Sequence, residues 1–445
     1  MRKFWVVLLS IGLLVAFTMP VCAADVKFSG SYEAQGYYEN NRALSDPEDG
    51  DFHNVWQRLR VQTVFQIQEG LSLTTRFDAM EKIWGAGPQA RSAGNAIDSG
   101  QPSQENDNIK FEQVYISANI LGGLFRAGYQ QQGVFGTWFC DADSAYGPRV
   151  RYDYAVGPFN FLVLWDKVEG AKAYNAGAAT ADVDKDQNKW DAAFQYKFKG
   201  GDAGLLFIFL NDTASSDVAD GGFKRKWYVF DPYVRAKLGP VYIEAEAFYM
   251  TGYTKDFEDD ATKPNKDIKK DGWSLYAMAK GDFGPAYAGI MGAWIFGDDD
   301  AKDDKDHSGY PGSGAFNPCL MLWNYDLSRW NGTMGKYATI TGGQAGMTNA
   351  KFGQIFAGIK PIPKLDVKFS WSYARIDEKP KNVDIDAEIG HEFDLTATYK
   401  IYDNLSYMIG AAYFVTGDYF KGKEPNDNNK IENDYLLTHK LTLTF

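Results

Sequence analysis

Cysteine is almost absent from this sequence, with three residues in 445, one of them Cys22 near the start. That excludes a disulfide-stapled scaffold and a multi-cysteine zinc or iron–sulfur protein. Histidine is as scarce: His53, His307, His391 and His439 are too scattered for a His-rich metal site. An excess of positive charge is also missing. With 46 basic and 58 acidic residues the net charge is −12, a poor balance for gripping nucleic acid. Long apolar runs are lacking beyond the first two dozen residues. The longest, Ala203–Leu210, falls far short of the about 20 residues a membrane helix needs. What is abundant is aromatic side chains, at 16%, and glycine, at 45 residues. Apolar residues make up 45%, which excludes disorder as a description of the whole chain.

Arg2 and Lys3 precede an apolar run from Phe4 to Phe17, followed by Pro20 and the small residues Val21-Cys22-Ala23-Ala24. This pattern reads as a signal peptide over residues 1–23, cleaved after Ala23. Met19-Pro20-Val21 lacks the lead expected before a lipoprotein cysteine, so Cys22 is not read as a lipid anchor. Residues 24–445 then form one domain, with 44 basic against 58 acidic residues and a net charge of −14. An exported chain without a membrane helix enters a membrane only as a closed barrel.

The periodicity is two. Val26, Phe28, Tyr32, Ala34 and Tyr38 alternate with Lys27, Ser29, Ser31, Glu33 and Gln35. Leu59, Val61, Phe65 and Ile67 alternate with Arg58, Arg60, Gln62, Gln66 and Gln68. Tyr435, Leu437, Leu441, Leu443 and Phe445 do the same at the other end, with His439 on the apolar face. Such alternation places one set on each face of a strand. Short connections rich in Gly, Pro, Asn and Asp, such as Glu69-Gly70, Gly122-Gly123, Gly157-Pro158 and Gly239-Pro240, alternate with long polar ones. The long ones fall at about 39–54, 85–108, 131–147, 167–187, 212–225, 252–271, 297–348, 378–388 and 417–431. Eight short and nine long connections join eighteen strands; Ala203–Asn211, apolar on both faces, leaves sixteen open.

That short–long alternation points to an all-β, antiparallel up-and-down transmembrane barrel with short periplasmic turns and long extracellular loops. A soluble sandwich would give the same alternation along each strand. Trp165, Trp190, Trp273 and Trp294 decide against it: they sit on apolar faces at the loop-side ends of strands, where amphipathic rings meet a membrane interface. The outer membrane, with its lipid and lipopolysaccharide, is the implied location.

Strand parity places Arg58, Arg60, Arg76, Arg126, Arg149 and Arg151 inward, with the acidic residues Asp78 and Asp153. Glu244, Glu246, Asp394 and Lys400 line the distant wall. A basic ladder facing acids would favour anions along its track; alternatively the arginines pair with neighbouring carboxylates and stiffen the wall. The segment 131–147 mixes glycines, aromatics and acids. It is expected to fold inward as a constriction with Asp141 and Asp143 at the eyelet, or to remain a plain external loop. Cys140 and Cys319, both in loops, are either joined by a disulfide or isolated thiols. The run Asp298–Asp306 suits calcium or plain solvation, and lacks the glycine and terminal glutamate of an EF-hand. No metal site, cofactor motif or Ser–His arrangement is legible, so neither cofactor nor catalysis is expected. His53 and His307 sit in loops, and His391 and His439 on lipid-facing parity.

The signal peptide, even strand count and final Phe445 resemble the Gram-negative porins, which implies recognition of Phe445 by the outer-membrane assembly machinery. The stretches Glu388-Ile389-Gly390-His391-Glu392-Phe393-Asp394-Leu395-Thr396 and Gly410-Ala411-Ala412-Tyr413-Phe414-Val415-Thr416-Gly417-Asp418-Tyr419-Phe420 resemble the end of the alginate-export porin family. This resemblance covers roughly the last seventy residues. It implies an eighteen-stranded barrel with a basic lumen that passes an anionic polysaccharide or small anions. Arginine ladders are also similar to those of anion-selective trimeric porins, which implies a homotrimer. The expected activity is passive diffusion of small hydrophilic solutes, with polysaccharide export or a barrel enzyme as the alternatives.

Overall fold

The structure is a computed structural model. It describes residues 25–44, 51–85, 109–133, 135–140, 146–169, 186–213, 222–257, 266–299, 303–310, 312–331, 347–381, 385–422 and 430–445. The signal peptide therefore lies outside the described residues, as do Asp141 and Asp143.

In chain order the strands are β1 (Asp25–Glu39), β2 (Phe52–Gln68), β3 (Leu71–Ile83), β4 (Ile109–Ile120), β5 (Gly123–Gln131), β6 (Tyr146–Val156) and β7 (Phe159–Glu169). Next come β8 (Gln187–Phe198), β9 (Gly201–Asp212), β10 (Phe223–Leu238), β11 (Val241–Phe257), β12 (Ile268–Phe283) and β13 (Ala286–Ile295). A two-residue bridge, β14 (Lys305–Asp306), lies parallel to β12. The series ends with β15 (Ala350–Ile362), β16 (Leu365–Ile376), β17 (Glu388–Tyr402), β18 (Leu405–Thr416) and β19 (Asp434–Thr444). Apart from β14, each strand pairs antiparallel with its sequence neighbours, β13 pairs with β15, and β1 pairs with β19. Eighteen strands thus close a barrel, as the connection count predicts.

The sequence builds this wall locally. Leu121 and Gly122 both adopt positive φ, 52° and 79°, the conformation a two-residue hairpin needs to match strand twist. The ambiguous segment 201–212 is a strand whose two apolar faces have different surroundings. Phe207 and Phe209 point out, packed beside Phe230 and Tyr228, while Leu206 and Ile208 face an interior cavity. The seam is closed by Gly30 and Phe445, each donating its backbone N–H to the other's carbonyl, at 2.8 and 3.1 Å.

The surface is inverted relative to a soluble protein. On β17, Phe393 and Leu395 are 40% and 52% exposed, whereas Glu392 and Asp394 are 0% and 4% exposed. The four predicted interface tryptophans, 37–41% exposed, lie on the outside. Trp165 sits directly opposite Trp190, and Trp273 stacks on Tyr249 at 4.2 Å. An apolar outside on a closed barrel makes this an integral outer-membrane protein.

Candidate functional site

Two loops turn into the barrel. The first follows β5. Gly133 and Gly136 take φ of +90° and +83°, and a Cβ at Gly136 would collide with the Glu246 carboxylate on β11. Next to it, Thr137 donates its backbone N–H and its hydroxyl to Glu246 Oε2, at 3.2 and 2.6 Å. Trp138 Nε1 donates to the Ala315 carbonyl at 2.7 Å, and Phe139 stacks on Tyr276 with centroids 5.4 Å apart.

The second inward loop corrects the sequence reading, which made 297–348 an external connection. Residues 312–331 reach the far inner wall. There the Glu392 carboxylate accepts the backbone N–H groups of Leu320, Met321 and Leu322, at 3.0, 2.7 and 2.5 Å. Phe316, Leu322 and Trp323 are buried in one cluster with Phe352, Ile389, Phe414 and Leu436 from the wall. The signal was present in Pro318-Cys319-Leu320-Met321-Leu322-Trp323, a run too apolar for an exposed loop. A short helix, α1 (Tyr325–Asn331), follows, with Asn324 Oδ1 accepting the Leu327 N–H at 2.8 Å. The lumen from β11 round to β2 is thus a packed apolar core, not the water-filled wall the sequence suggests.

The arginines named from strand parity are matched in charge mostly by carboxylates on adjacent strands rather than across the lumen. Arg58 pairs with Glu33 at 3.1 Å and lies 3.8 Å from Glu81. Arg60 grips Asp78 with two bonds, at 2.7 and 2.6 Å. Arg149 meets Asp166 at 2.8 Å, and Lys189 bridges Asp166 and Asp191 at 3.0 and 3.2 Å. Arg76 rests against Tyr146, which its guanidinium covers and hydrogen-bonds. On the opposite wall Glu244 accepts the Tyr242 and Tyr276 hydroxyls at 2.7 Å each, and Asp394 accepts from Ser370 at 3.2 Å. Arg76, Arg149, Asp78, Glu244, Glu246 and Asp394 are all buried, so they brace the wall rather than meet open water. Glu33, Glu81, Asp166 and Asp191 were missed as partners because strand register, which decides who faces whom, is not written in any one strand. Replacing Asp78 by alanine should cost about 3 kcal/mol in urea unfolding of the detergent-folded barrel, the low end for a broken buried pair because Arg60 keeps some solvent.

Arg126 and Arg151 break this balance. They are directly opposite on β5 and β6, and both bond to Asp153, at 2.6 Å each. Two guanidiniums thus share one carboxylate. Arg151 also donates to the Gln132 carbonyl of the inward loop at 2.6 Å. It stands between two adjoining cavities that run past the loop along β6–β10. One, of about 200 Å³, is lined by Lys189, Asp191, Leu206, Ile208 and Tyr310 among others. The other, of about 230 Å³, is lined by Asp153, Asn160, Gln195, Tyr233 and Arg235. Phe135, Arg151, Leu162 and Ala193 belong to both.

With this geometry in place, comparison with solved structures is direct. Pseudomonas aeruginosa OccK8 (OprE) matches at a TM-score of 0.52 and 10% identity, covering 95% of this chain and 98% of that one. Pseudomonas aeruginosa OccK9 (OpdG) matches at 0.52 and 11%, covering 95% and 99%. An anion-selective porin from Comamonas acidovorans matches at 0.44 and 11%, covering 95% and 100%. The chain has the fold of the Gram-negative outer-membrane porins. At these identities the likeness is one of fold. No family model matches the chain and no curated protein does. The alginate-export resemblance therefore rests on residues 388–420 alone, which form β17, β18 and the turn after them.

The remaining candidates within this porin fold are placed as follows. Cys140 and Cys319 are both free and buried, so the disulfide alternative is set aside. From the acidic run, Asp306 pairs with Lys270 at 2.9 Å and Asp299 with Lys381 at 3.4 Å. His391 packs on Trp371 and Tyr373 at the outer surface.

Proposed function

We propose that this protein is a passive channel for small hydrophilic solutes, whose path runs past the first inward loop along β6–β10. The observation that carries it is the pair of adjoining cavities meeting at Phe135 and Arg151. Their size fits small solutes rather than a polymer, which favours diffusion over polysaccharide export. Charged side chains such as Arg151, Lys189, Asp191 and Arg235 line the path among aliphatic and aromatic ones, so a solute exchanges hydration for fixed partners as it passes.

A modest anion preference follows from Arg126 and Arg151 sharing Asp153, which leaves one positive charge where the two cavities adjoin. Other pairs along the path, Arg235 with Asp202 at 2.9 Å and Lys189 with Asp191, are locally neutral. In planar bilayers under a potassium chloride gradient, the reversal potential is expected to show anion preference. Arg151→Gln and Arg126→Gln should each move it toward cations. Cation preference in the unaltered protein, or a reversal potential indifferent to both substitutions, defeats the anion reading; the absence of discrete conductance steps defeats the channel.

A further inference from the structure

Where the first inward loop meets the wall, three ligand-type atoms converge. Cys140 Sγ and one carboxylate oxygen each of Asp231 on β10 and Glu246 on β11 lie within 4.8 Å of one another. All three residues are more than nine-tenths buried. Hydrogen bonding leaves the centre of the cluster unserved. Glu246 Oε2 is taken by Thr137, but no donor reaches Glu246 Oε1 or Asp231 Oδ1, and the two carboxyl groups face each other. Among the described residues, neither carboxylate has a Lys or Arg within ion-pair distance. Two carboxylates and a thiol packed together without a cation are costly in a low-dielectric interior.

A second cluster provides an internal control. Cys319, Glu392 and Asp394 converge in the same way. There, however, both Glu392 oxygens are occupied by three backbone N–H groups, and Cys319 Sγ lies 3.2 Å from Ser372 Oγ. The protein itself serves that cluster apart from Asp394 Oδ1, which has no donor. The Cys140 cluster differs in a further respect: Cys140 and Asp231 line the cavity of about 200 Å³, which gives a small ion a way in and leaves a coordination position open.

We infer that Cys140, Asp231 and Glu246 form a binding site for a borderline divalent cation of the zinc class, which fastens the inward loop to β10 and β11. Sulfur and carboxylate oxygen together are a zinc ligand set, and a thiolate disfavours calcium and magnesium. Ligand atoms across a tetrahedral zinc ion are about 3.5 Å apart, so the cluster needs to contract by about 1 Å. The flexible Glu246 side chain and the loop that carries Cys140 can supply this.

The test uses the full barrel folded in detergent, stripped with a chelator and titrated with Co2+ alone. A near-ultraviolet thiolate-to-cobalt charge-transfer band is expected in the unaltered protein and in Cys319→Ser, and its loss on adding Zn2+. The band should be absent in Cys140→Ser, and Co2+ affinity should fall about tenfold or more in Asp231→Asn. Heat-shifted gel mobility shows whether each variant is folded. No band in the unaltered protein, a band that survives Cys140→Ser, or unchanged affinity in Asp231→Asn overturns the site. Should Cys140→Ser fail to fold, Asp231→Asn in the Cys319→Ser background decides alone. Bilayer conductance is independent of these readouts, so a failed metal site leaves the channel reading in place.

Discussion

Replacing Glu392 by alanine is expected to raise single-channel conductance several-fold. That carboxylate holds the second inward loop through three backbone N–H groups, each a charge-assisted bond. At about 1.5 kcal/mol apiece, removing them costs about 4.5 kcal/mol of docking energy and leaves three buried donors without an acceptor. The wall itself stays closed, because β17 keeps its ladders to β16 and β18. The loop from 312 to 331 should therefore leave the inner wall while the barrel persists. Glu392→Gln keeps an acceptor without the charge and should fall between. Limited proteolysis reads the same event, with new cuts in that loop. A conductance and digestion pattern identical to those of the unaltered protein would mean that the aromatic cluster alone seats the loop.

Gly136→Val should free the first loop. The residue stands at a φ of +83°, where a branched side chain costs about 1–3 kcal/mol. Its Cβ would also strike the Glu246 carboxylate and part Thr137 from its acceptor. The two cavities should then merge, with higher conductance and weaker dependence of selectivity on Arg151, which loses its bond to Gln132. Thr137→Val is a milder version that removes the hydroxyl's bond to Glu246 and its acceptance of the Phe139 N–H, worth about 1 kcal/mol each. Gly353→Ala makes a fair control, since a Cβ there meets nothing within 4 Å. If Gly136→Val conducts like Gly353→Ala, the loop is not what narrows the path.

Much of the wall was legible because its signal is local. Phe393 and Leu395 against Glu392 and Asp394 state the two faces of β17 within four residues, and turn residues set the ends. The inward course of the first loop showed in its spacing of glycine with Trp138 and Phe139. The second loop was hidden because six apolar residues were diluted in a long polar connection. Charge pairing was hidden for another reason. Arg60 meets Asp78, and Arg126 faces Arg151, only through register between strands, which the alternation of either strand leaves undetermined. The carboxylate partners of Arg58, Arg60, Arg126 and Arg149 lie one strand away, where no single strand's alternation points to them.

The one-sided core also has a mechanical consequence. From β11 round to β2 the wall is propped from within by close-packed rings, whereas among the described residues the arc from β4 to β9 is met from within mainly by the short first loop. Stiffness is then lopsided, and thermal breathing of the bore falls to the less-propped arc, the same arc that carries Arg126, Arg151 and the proposed solute path. In the proposed channel, what passes would be gauged by a compliant side pressed toward a rigid one, rather than by a ring of fixed diameter.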